Sequence, residues 1–315
     1  MVRDIAVFSG SAHLELATEI CAHLGTPLSP THVQRFANDC LQVQLRANCR
    51  ERDVFIIQPL VPPVQENLVE LLLMLDAARG ASAARTTVVM PHYAYARSDK
   101  KNAPRISIGG RLVADLLVTA GASRILTMTL HSPQVHGFFS VPVDHLHALK
   151  ELAAHFRTCD LNNTVVVSPD LGNAKQASHL ARLLGLPVAA GAKERFDDDE
   201  VRITSIIGEV EGKNVIVLDD EIAKGSTLIE LLARLRDHRS GPVRIACTHG
   251  LFAGNSLKRL ADEPEVLEIV CTNTVPIPAE KRVPKLRVLS IARPLAEAIR
   301  RIHDGESVSA LFQAP

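Results

Sequence analysis

The sequence predicts an α/β protein of two similar domains, each a mostly parallel sheet flanked by helices. Three observations point there. Strand-like apolar runs and helix-period patterns alternate nearly from end to end of the 315 residues, and such alternation implies parallel strands joined by covering helices. Many of the strand-like runs are apolar throughout, as at 215–218 (VIVL), which is the pattern of strands buried on both faces. A length of 315 suggests about two domains. A weak self-similarity agrees: VVMPHYAYARSDKK and VVVSPDLGNAK each run from a strand through Pro into polar residues.

Taken in order, the predicted strands of the first domain cover 4–8, 33–36, 41–45, 53–58, 86–91 and 124–130. Helical patterns stand between several of them, at 13–24, 66–79 and 107–120. The second block has a strand at 164–168, a helix at 173–184 and strands near 187–190, 202–207 and 214–218. A helix at 226–236, strands at 243–248, 266–271 and 286–291 and a helix at 293–303 complete it. The boundary falls near 145–163, which gives domains of 1–146 and 147–315.

Lys plus Arg and Asp plus Glu are balanced at 35 each, which argues against a broad basic footprint for nucleic acid. With no Trp and only two Tyr, base-stacking platforms are disfavoured as well. Hydrophobic content of 46% and charged content of 22% are those of a globular protein. The start, MVRDIAVFSGSAH, enters a strand directly, and the apolar stretch at 68–78 is short and carries Glu70 and Asp76. Six cysteines without metal-finger spacing read as reduced packing residues. The expectation is a cytoplasmic protein with no membrane and no nucleic-acid partner.

The most informative stretch is NVIVLDDEIAKGSTLIE, from Asn214 to Glu230. Asp219 and Asp220 sit at the carboxyl end of a buried strand, where open α/β sheets bind ligands. A Gly-Ser-Thr loop then opens a helix whose N–H groups and dipole suit a phosphate. The two acids suit sugar hydroxyls or a magnesium ion carried with a phosphate. Together they predict a site for a phosphorylated sugar. Asp170 and Gly172 repeat that geometry after another strand. PHYAYARSDKK offers Arg97, Lys100 and Lys101 to a polyphosphate. His131 follows a strand directly and suits a phosphate or a metal. The charged run KERFDDDE at 193–200 reads either as an exposed connection or as a flap whose Lys193 and Arg195 cover a transferring phosphoryl group.

These motifs occur in one order with FSGSAH, NCRERDVFIIQ, THGLFAG, TNT and LAEAIRRIHDGESVSALF. On them the chain resembles the ribose-phosphate pyrophosphokinase (phosphoribosyl pyrophosphate synthetase) family, from about residue 5 to residue 312. The resemblance implies two type I phosphoribosyltransferase-like domains and a homo-oligomer, a hexamer assembled from dimers. It also implies transfer of a diphosphoryl group from ATP to ribose 5-phosphate with Mg2+, giving phosphoribosyl pyrophosphate and AMP. By the same resemblance, Lys193 and Arg195 are catalytic. Phe36, Asn38, Cys40, Arg97, Ser98, Asp99 and His131 bind ATP. His131 and Asp170 serve the metal. Asp219 and Asp220 hold the ribose, and Ala223, Lys224, Gly225, Ser226 and Thr227 hold its 5-phosphate.

Several positions depart from the family pattern. Ser98 replaces a Gln, Thr129 replaces an Asp two residues before His131, and Cys40 replaces a purine-reading Glu. The usual D-T-G-G-T loop is here Ala223-Lys224-Gly225-Ser226-Thr227. A non-catalytic regulatory subunit of the same fold is the alternative that these changes favour, while Lys193, Arg195, His131, Asp170 and the paired acids favour an active enzyme. The resemblance further implies an inter-subunit anion site for phosphate or ADP at Arg50, Ser82, Arg105, Ser307 and Ser309.

Overall fold

The computed structural model describes residues 4–195 and 201–312, and no side chains are described at 193–195, 201–202, 310 and 312. The chain divides into two compact units. The first comprises the described residues up to His147, together with Thr274–Pro276 and those from Ser290 onward. The second comprises Ala148–Asn273 and Ile277–Leu289. Among the described residues no helix is long and apolar enough to cross a membrane.

In chain order the first unit holds β1 (Ile5–Ser9), α1 (Leu14–Leu24), β2 (Leu28–Ser29), β3 (Thr31–Arg35), β4 (Leu41–Leu45), β5 (Asp53–Ile57), α2 (Val64–Gly80), β6 (Arg85–Met90), α3 (Gly109–Ala120), β7 (Arg124–Met128) and β8 (Val143–Leu146). The strand order is β2-β1-β5-β6-β7-β8, and every pair is parallel. β3 and β4 form a separate antiparallel hairpin. β5, apolar from Val54 to Ile57 after Asp53, is buried along its whole length, as a strand covered on both faces must be.

The second unit runs α4 (Leu149–Phe156), β9 (Thr164–Ser168), α5 (Ala174–Leu184), β10 (Val188–Arg195), β11 (Val201–Ile207), β12 (Asn214–Ile222), α6 (Ser226–Asp237), β13 (Val243–Gly250), α7 (Ser256–Asp262), β14 (Val266–Thr272) and β15 (Leu286–Leu289). Its order is β11-β10-β9-β12-β13-β14-β15, parallel except for the edge strand β11. Alternate strand residues enter two cores. Val165, Val167, Val215, Val217 and Ile245 pack with Leu228, Leu231 and Leu235 of α6. Val166, Ile216, Leu218 and Ala246 pack with Leu152 and Phe156 of α4 and Leu180 of α5.

The fold class is as expected: α/β, with two mostly parallel, helix-flanked sheets. Three features differ from the sequence reading. The last long helix, α8 (Ala292–Asp304), belongs to the first unit rather than to a domain running 147–315. It packs on α1 and buries Leu295, Ile299 and Ile302, each contributing about 1.5–3 kcal/mol. Its end is tied to β5 and β6: buried Asp53 accepts from Arg85 Nε at 3.1 Å and lies 3.0 Å from His303 Nδ1. Alternation along a chain cannot show to which sheet a terminal helix returns. Secondly, β10 runs on through Lys193 to Arg195, paired antiparallel with β11, so this stretch is a two-stranded arm rather than a connection. Thirdly, β12 continues through the paired acids to Ile222. A short α9 (Ser309–Phe312) follows α8.

Candidate active site

The second sheet switches winding direction between β9 and β12, since β10 lies to one side of β9 and β12 to the other. Such a switch point opens a crevice beyond the strand ends. β12 pairs with β9 only as far as Val217↔Val167, yet pairs with β13 as far as Ile222↔Gly250. Residues Leu218 to Ile222 therefore overhang on the β9 side, and that overhang carries Asp219 and Asp220. The loop leaving β9 carries Asp170 to the same place. Asn173 ties the two strands together, its N–H donating to Asp170 Oδ1 at 3.1 Å and its Nδ2 to the Leu218 carbonyl at 2.8 Å.

Asp219 is the strained acid of this group. Its carboxyl is held well above the usual carboxylate range, first by burial, then by the charge of Asp220, with Asp170 adding repulsion. The Asp220 N–H donates to Asp219 Oδ1 at 2.9 Å and offsets part of the cost. A buried carboxylate made costly to ionise by two neighbouring acids is a setting that a hard cation relieves. Oxygen donors of this kind suit Mg2+.

Four residues beyond Asp219 the phosphate-type loop begins. Its first carbonyl, that of Ala223, accepts from Ala253 N and Ser256 Oγ, both at 3.0 Å. Gly225 takes a left-handed φ of 69° and its carbonyl accepts from Ile229 N at 3.0 Å, so the chain turns sharply into α6. A Cβ there would stand 3.3 Å from Leu260 Cδ1, a tight contact added to the left-handed torsion that favours glycine. The first-turn N–H groups of α6 have no acceptor within the helix. Around them lie exposed Lys224 and Ser226 and half-buried Thr227. Loss of an acid at 223 and gain of a cation at 224 leave a loop with more positive potential than D-T-G-G-T has.

The arm bearing Lys193 and Arg195 is anchored from α6. Lys193 pairs with Ile203 across the strands, next to a register shift at Ala192/Lys193. Ile203 is fully buried, and both its backbone groups are taken by α6: Glu230 Oε1 accepts from its N–H at 2.6 Å and Arg234 Nε donates to its carbonyl at 3.0 Å. The side chains of Lys193 and Arg195, and residues 196–200, lie outside the described part of the chain.

The residues expected to bind ATP stand in the first unit. Phe36, Asn38 and Cys40 form the exposed tip of the β3–β4 hairpin. Asn38 Oδ1 accepts from Cys40 N at 3.3 Å, and Phe36 N donates to the Cys40 carbonyl at 2.9 Å. Arg97 is exposed at the end of a 3-10 turn after β6. Ser98 Oγ accepts from Gly109 N at 2.9 Å, capping α3, while Ser132 Oγ donates to Asp99 Oδ2 at 2.6 Å. That last bond joins the 97–99 turn to the loop of His131, which is exposed. Thr129, just before it, is buried with φ 42° and donates its N–H to the Leu146 carbonyl at 2.8 Å. His131 and Asp170, the expected metal pair, thus stand in different units.

Comparison with known proteins now decides the family. Residues 5–121 match the N-terminal domain of ribose phosphate pyrophosphokinase, and residues 198–313 match the phosphoribosyl synthetase-associated domain. A Streptomyces coelicolor protein provisionally named a ribose-phosphate pyrophosphokinase is 74% identical over 313 residues, covering 99% of both chains. A Deinococcus radiodurans ribose-phosphate pyrophosphokinase is 49% identical, with 98% of each chain covered. The chain belongs to the ribose-phosphate pyrophosphokinase family. The crystal structure of phosphoribosylpyrophosphate synthetase from Mycobacterium smegmatis superposes with a TM-score of 0.90 at 39% identity, covering 96% of this chain and 100% of that one. The type I phosphoribosyltransferase-like reading of the fold holds with it.

Within this family member the two switch points are not equivalent. In the first unit the corresponding crevice lies between β1 and β5 and is filled by the protein itself. Buried Glu70 accepts from Ser11 N at 2.7 Å and from Ser11 Oγ, and Gln58 Nε2 donates to it at 3.3 Å. Gln58 Oε1 accepts from Ala12 N at 3.1 Å. The loop after β5 contains Pro59, Pro62 and Pro63, which lack N–H donors. A carboxylate therefore sits where a ligand anion would in the first unit. Glu70, Gln58, Asn173, Ser132, Glu230 and Arg234 are the contributors that the sequence reading missed. Asn173 had a local signal, since an Asp side chain can reach the amide three residues on at the entry to a helix; the rest act through long-range contacts.

The expected anion-site residues are only partly gathered. Exposed Arg50 and Ser82 precede β5 and β6, where the Glu51 N–H donates to the Ser82 carbonyl at 2.9 Å and Arg50 bridges to Ala83. Ser307 and Ser309 follow α8, whose His303 meets Asp53 at that same edge. Arg105 lies on the loop leaving the opposite, carboxyl end of β6.

Proposed function

We propose that the protein transfers the diphosphoryl group of ATP to the anomeric hydroxyl of ribose 5-phosphate, giving phosphoribosyl pyrophosphate and AMP. The observation that carries this reading is the open crevice of the second unit. It sets two carboxylates at an overhanging strand end, beside a glycine-turned loop that opens a helix. Asp219 and Asp220 suit the ribose 2- and 3-hydroxyls, which donate to carboxylates. Residues 223–227 suit the 5-phosphate through backbone N–H groups, the Ser226 and Thr227 hydroxyls and Lys224.

The anomeric oxygen attacks the β-phosphorus, the bond from that phosphorus to the α-β bridging oxygen breaks, and AMP leaves with the electron pair. Lys193 and Arg195 on the β10–β11 arm supply positive charge to the transferring group. Orientation and electrostatics supply the rate, with no covalent protein intermediate. Mg2+ is the cation that the acidic set of the second unit fits, with Asp170 as its holder there. When bound, it neutralises phosphate charge. Arg97, Ser98 and Asp99 serve the ATP phosphates, and the 36–40 turn serves the base.

Substituting Lys193 by Ala tests the assignment. Turnover should fall by about 10²–10³-fold with ATP affinity nearly kept. Wild-type turnover in this variant would remove Lys193 from the mechanism. We assign Arg50, Ser82, Ser307 and Ser309 to a phosphate- or ADP-binding edge that Arg105 joins only from another subunit of a hexamer assembled from dimers. Sedimentation tests the assembly, and a phosphate titration unchanged by Arg50→Ala would reject the role of Arg50. A cytoplasmic location accords with the substrates.

A further inference from the structure

Three side chains of different donor chemistry converge in the second unit, away from the crevice. His155 lies in the last turn of α4, Cys159 four residues later, and Glu268 in the first half of β14. Glu268 pairs in register with Arg244 near the start of β13, whereas Asp219 pairs with Cys247 towards its end. The imidazole nitrogen, the thiol sulfur and a carboxylate oxygen all lie within 4.8 Å of one another, and all three residues are half-buried.

The geometry is close to that of a metal centre. Bonds of about 2.0–2.3 Å in a tetrahedral zinc site place its ligand atoms roughly 3.3–3.6 Å apart. His155 Nε2 and Glu268 Oε2 are 3.1 Å apart, so one edge of the tetrahedron is already formed. The sulfur has to come in by at most about 1.5 Å, within reach of a side-chain rotation at Cys159. The other carboxylate oxygen of Glu268 is 3.9 Å from Arg287 Nε, a loose ion pair, and the His155 ring stands edge-on to Phe156 with centroids 5.3 Å apart. Outer contacts of this type hold ligands in place.

We propose that His155, Cys159 and Glu268 bind a zinc ion with water in the fourth position. One sulfur, one nitrogen and one oxygen select a borderline ion such as Zn2+, whereas Mg2+ calls for an oxygen shell. The ion would cross-link the end of α4 to β14, and its binding releases the Cys159 proton, so affinity rises with pH.

The test uses the full-length protein stripped with a chelator and titrated with zinc against a chromophoric zinc indicator. One zinc per chain is expected, with affinity at least ten-fold weaker in both His155→Ala and Cys159→Ser. Cobalt(II) titrated in place of zinc should give a thiolate-to-cobalt charge-transfer band that Cys159→Ser abolishes. Circular dichroism shows whether each variant stays folded, and Cys159→Ser, nearly isosteric, guards against a merely unfolded His155→Ala. Absence of stoichiometric zinc binding, or binding in both variants as tight as in the wild type, would overturn the site. The latter result would place the ion elsewhere, such as on the carboxylates of the crevice.

Discussion

Replacing Glu230 by Ala isolates what holds the Lys193 arm. In the wild type the Ile203 N–H is buried and donates to Glu230 Oε1 at 2.6 Å. β11 is the edge strand of its sheet, and it is α6 that takes this amide. Removing the acceptor leaves a buried donor unsatisfied, at a cost of about 1–3 kcal/mol. That cost falls on the closed arm, so the Ile203 amide should exchange with solvent about 5- to 150-fold faster. Because Ile203 pairs with Lys193, turnover should fall in parallel, while the KM for ribose 5-phosphate, which we assign to the 223–227 loop, should stay near wild type. Glu230→Gln keeps an acceptor oxygen and should restore most of both quantities. Hydrogen exchange read by mass spectrometry, beside steady-state kinetics, measures each. Unchanged exchange at Ile203 in Glu230→Ala would refute the anchoring argument. Faster exchange with unchanged turnover would instead detach the arm from catalysis.

Other outcomes follow from particular contacts. Asp219 has a native pKa above that of the unfolded chain, so its contribution to stability is fully present below about pH 4 and is lost as pH rises through the native value. Asp219→Asn, melted without divalent cations, should match wild type near pH 4 and be the more stable protein at pH 8, yet lack activity; a stability difference that does not grow with pH would contradict the burial of this charge. Asp53→Ala removes the fully buried partner of Arg85 and His303 and should cost about 3 kcal/mol in urea unfolding, towards the low end for a broken buried pair because Arg85 is partly exposed; a loss below about 1 kcal/mol would mean that α8 is held by its apolar face alone. With Cys40 on the hairpin tip in place of a base-reading acid, GTP and CTP should serve as donors less than ten-fold worse than ATP. Sharp ATP exclusivity would assign base reading to another group.

Much of the fold could be read directly because its strands are apolar on both faces and its helices end on residues such as Gly25 and Gly185, both left-handed. Paired acids before a Gly-Ser-Thr turn were likewise legible as a local pattern, and the structure places Asp219 and Asp220 on the β12 overhang with the Gly225 turn following it. Features that depend on distant partners were not legible. The overhang of β12 arises because β9 stops short, and no local signal in 218–222 reports the length of a neighbour. Glu70 is, by sequence, only a charge interrupting the apolar stretch at 68–78, yet it is buried against Ser11 and Gln58 at the first crevice. α8 carries a strong apolar stripe, but a stripe does not name its partner, and α1 lies 277 residues away at the His23–Arg300 contact.

The central claim is diphosphoryl transfer at the crevice of the second unit, and ATP labelled at its β-phosphorus tests it most directly. Incubated with the purified protein, Mg2+ and ribose 5-phosphate, the label should pass into phosphoribosyl pyrophosphate, with one unlabelled AMP formed for each sugar consumed. Asp219→Asn should abolish the transfer. Label remaining in ADP, or no transfer by a folded protein, would contradict the account, and the second of these results would leave the chain as a non-catalytic member of its family.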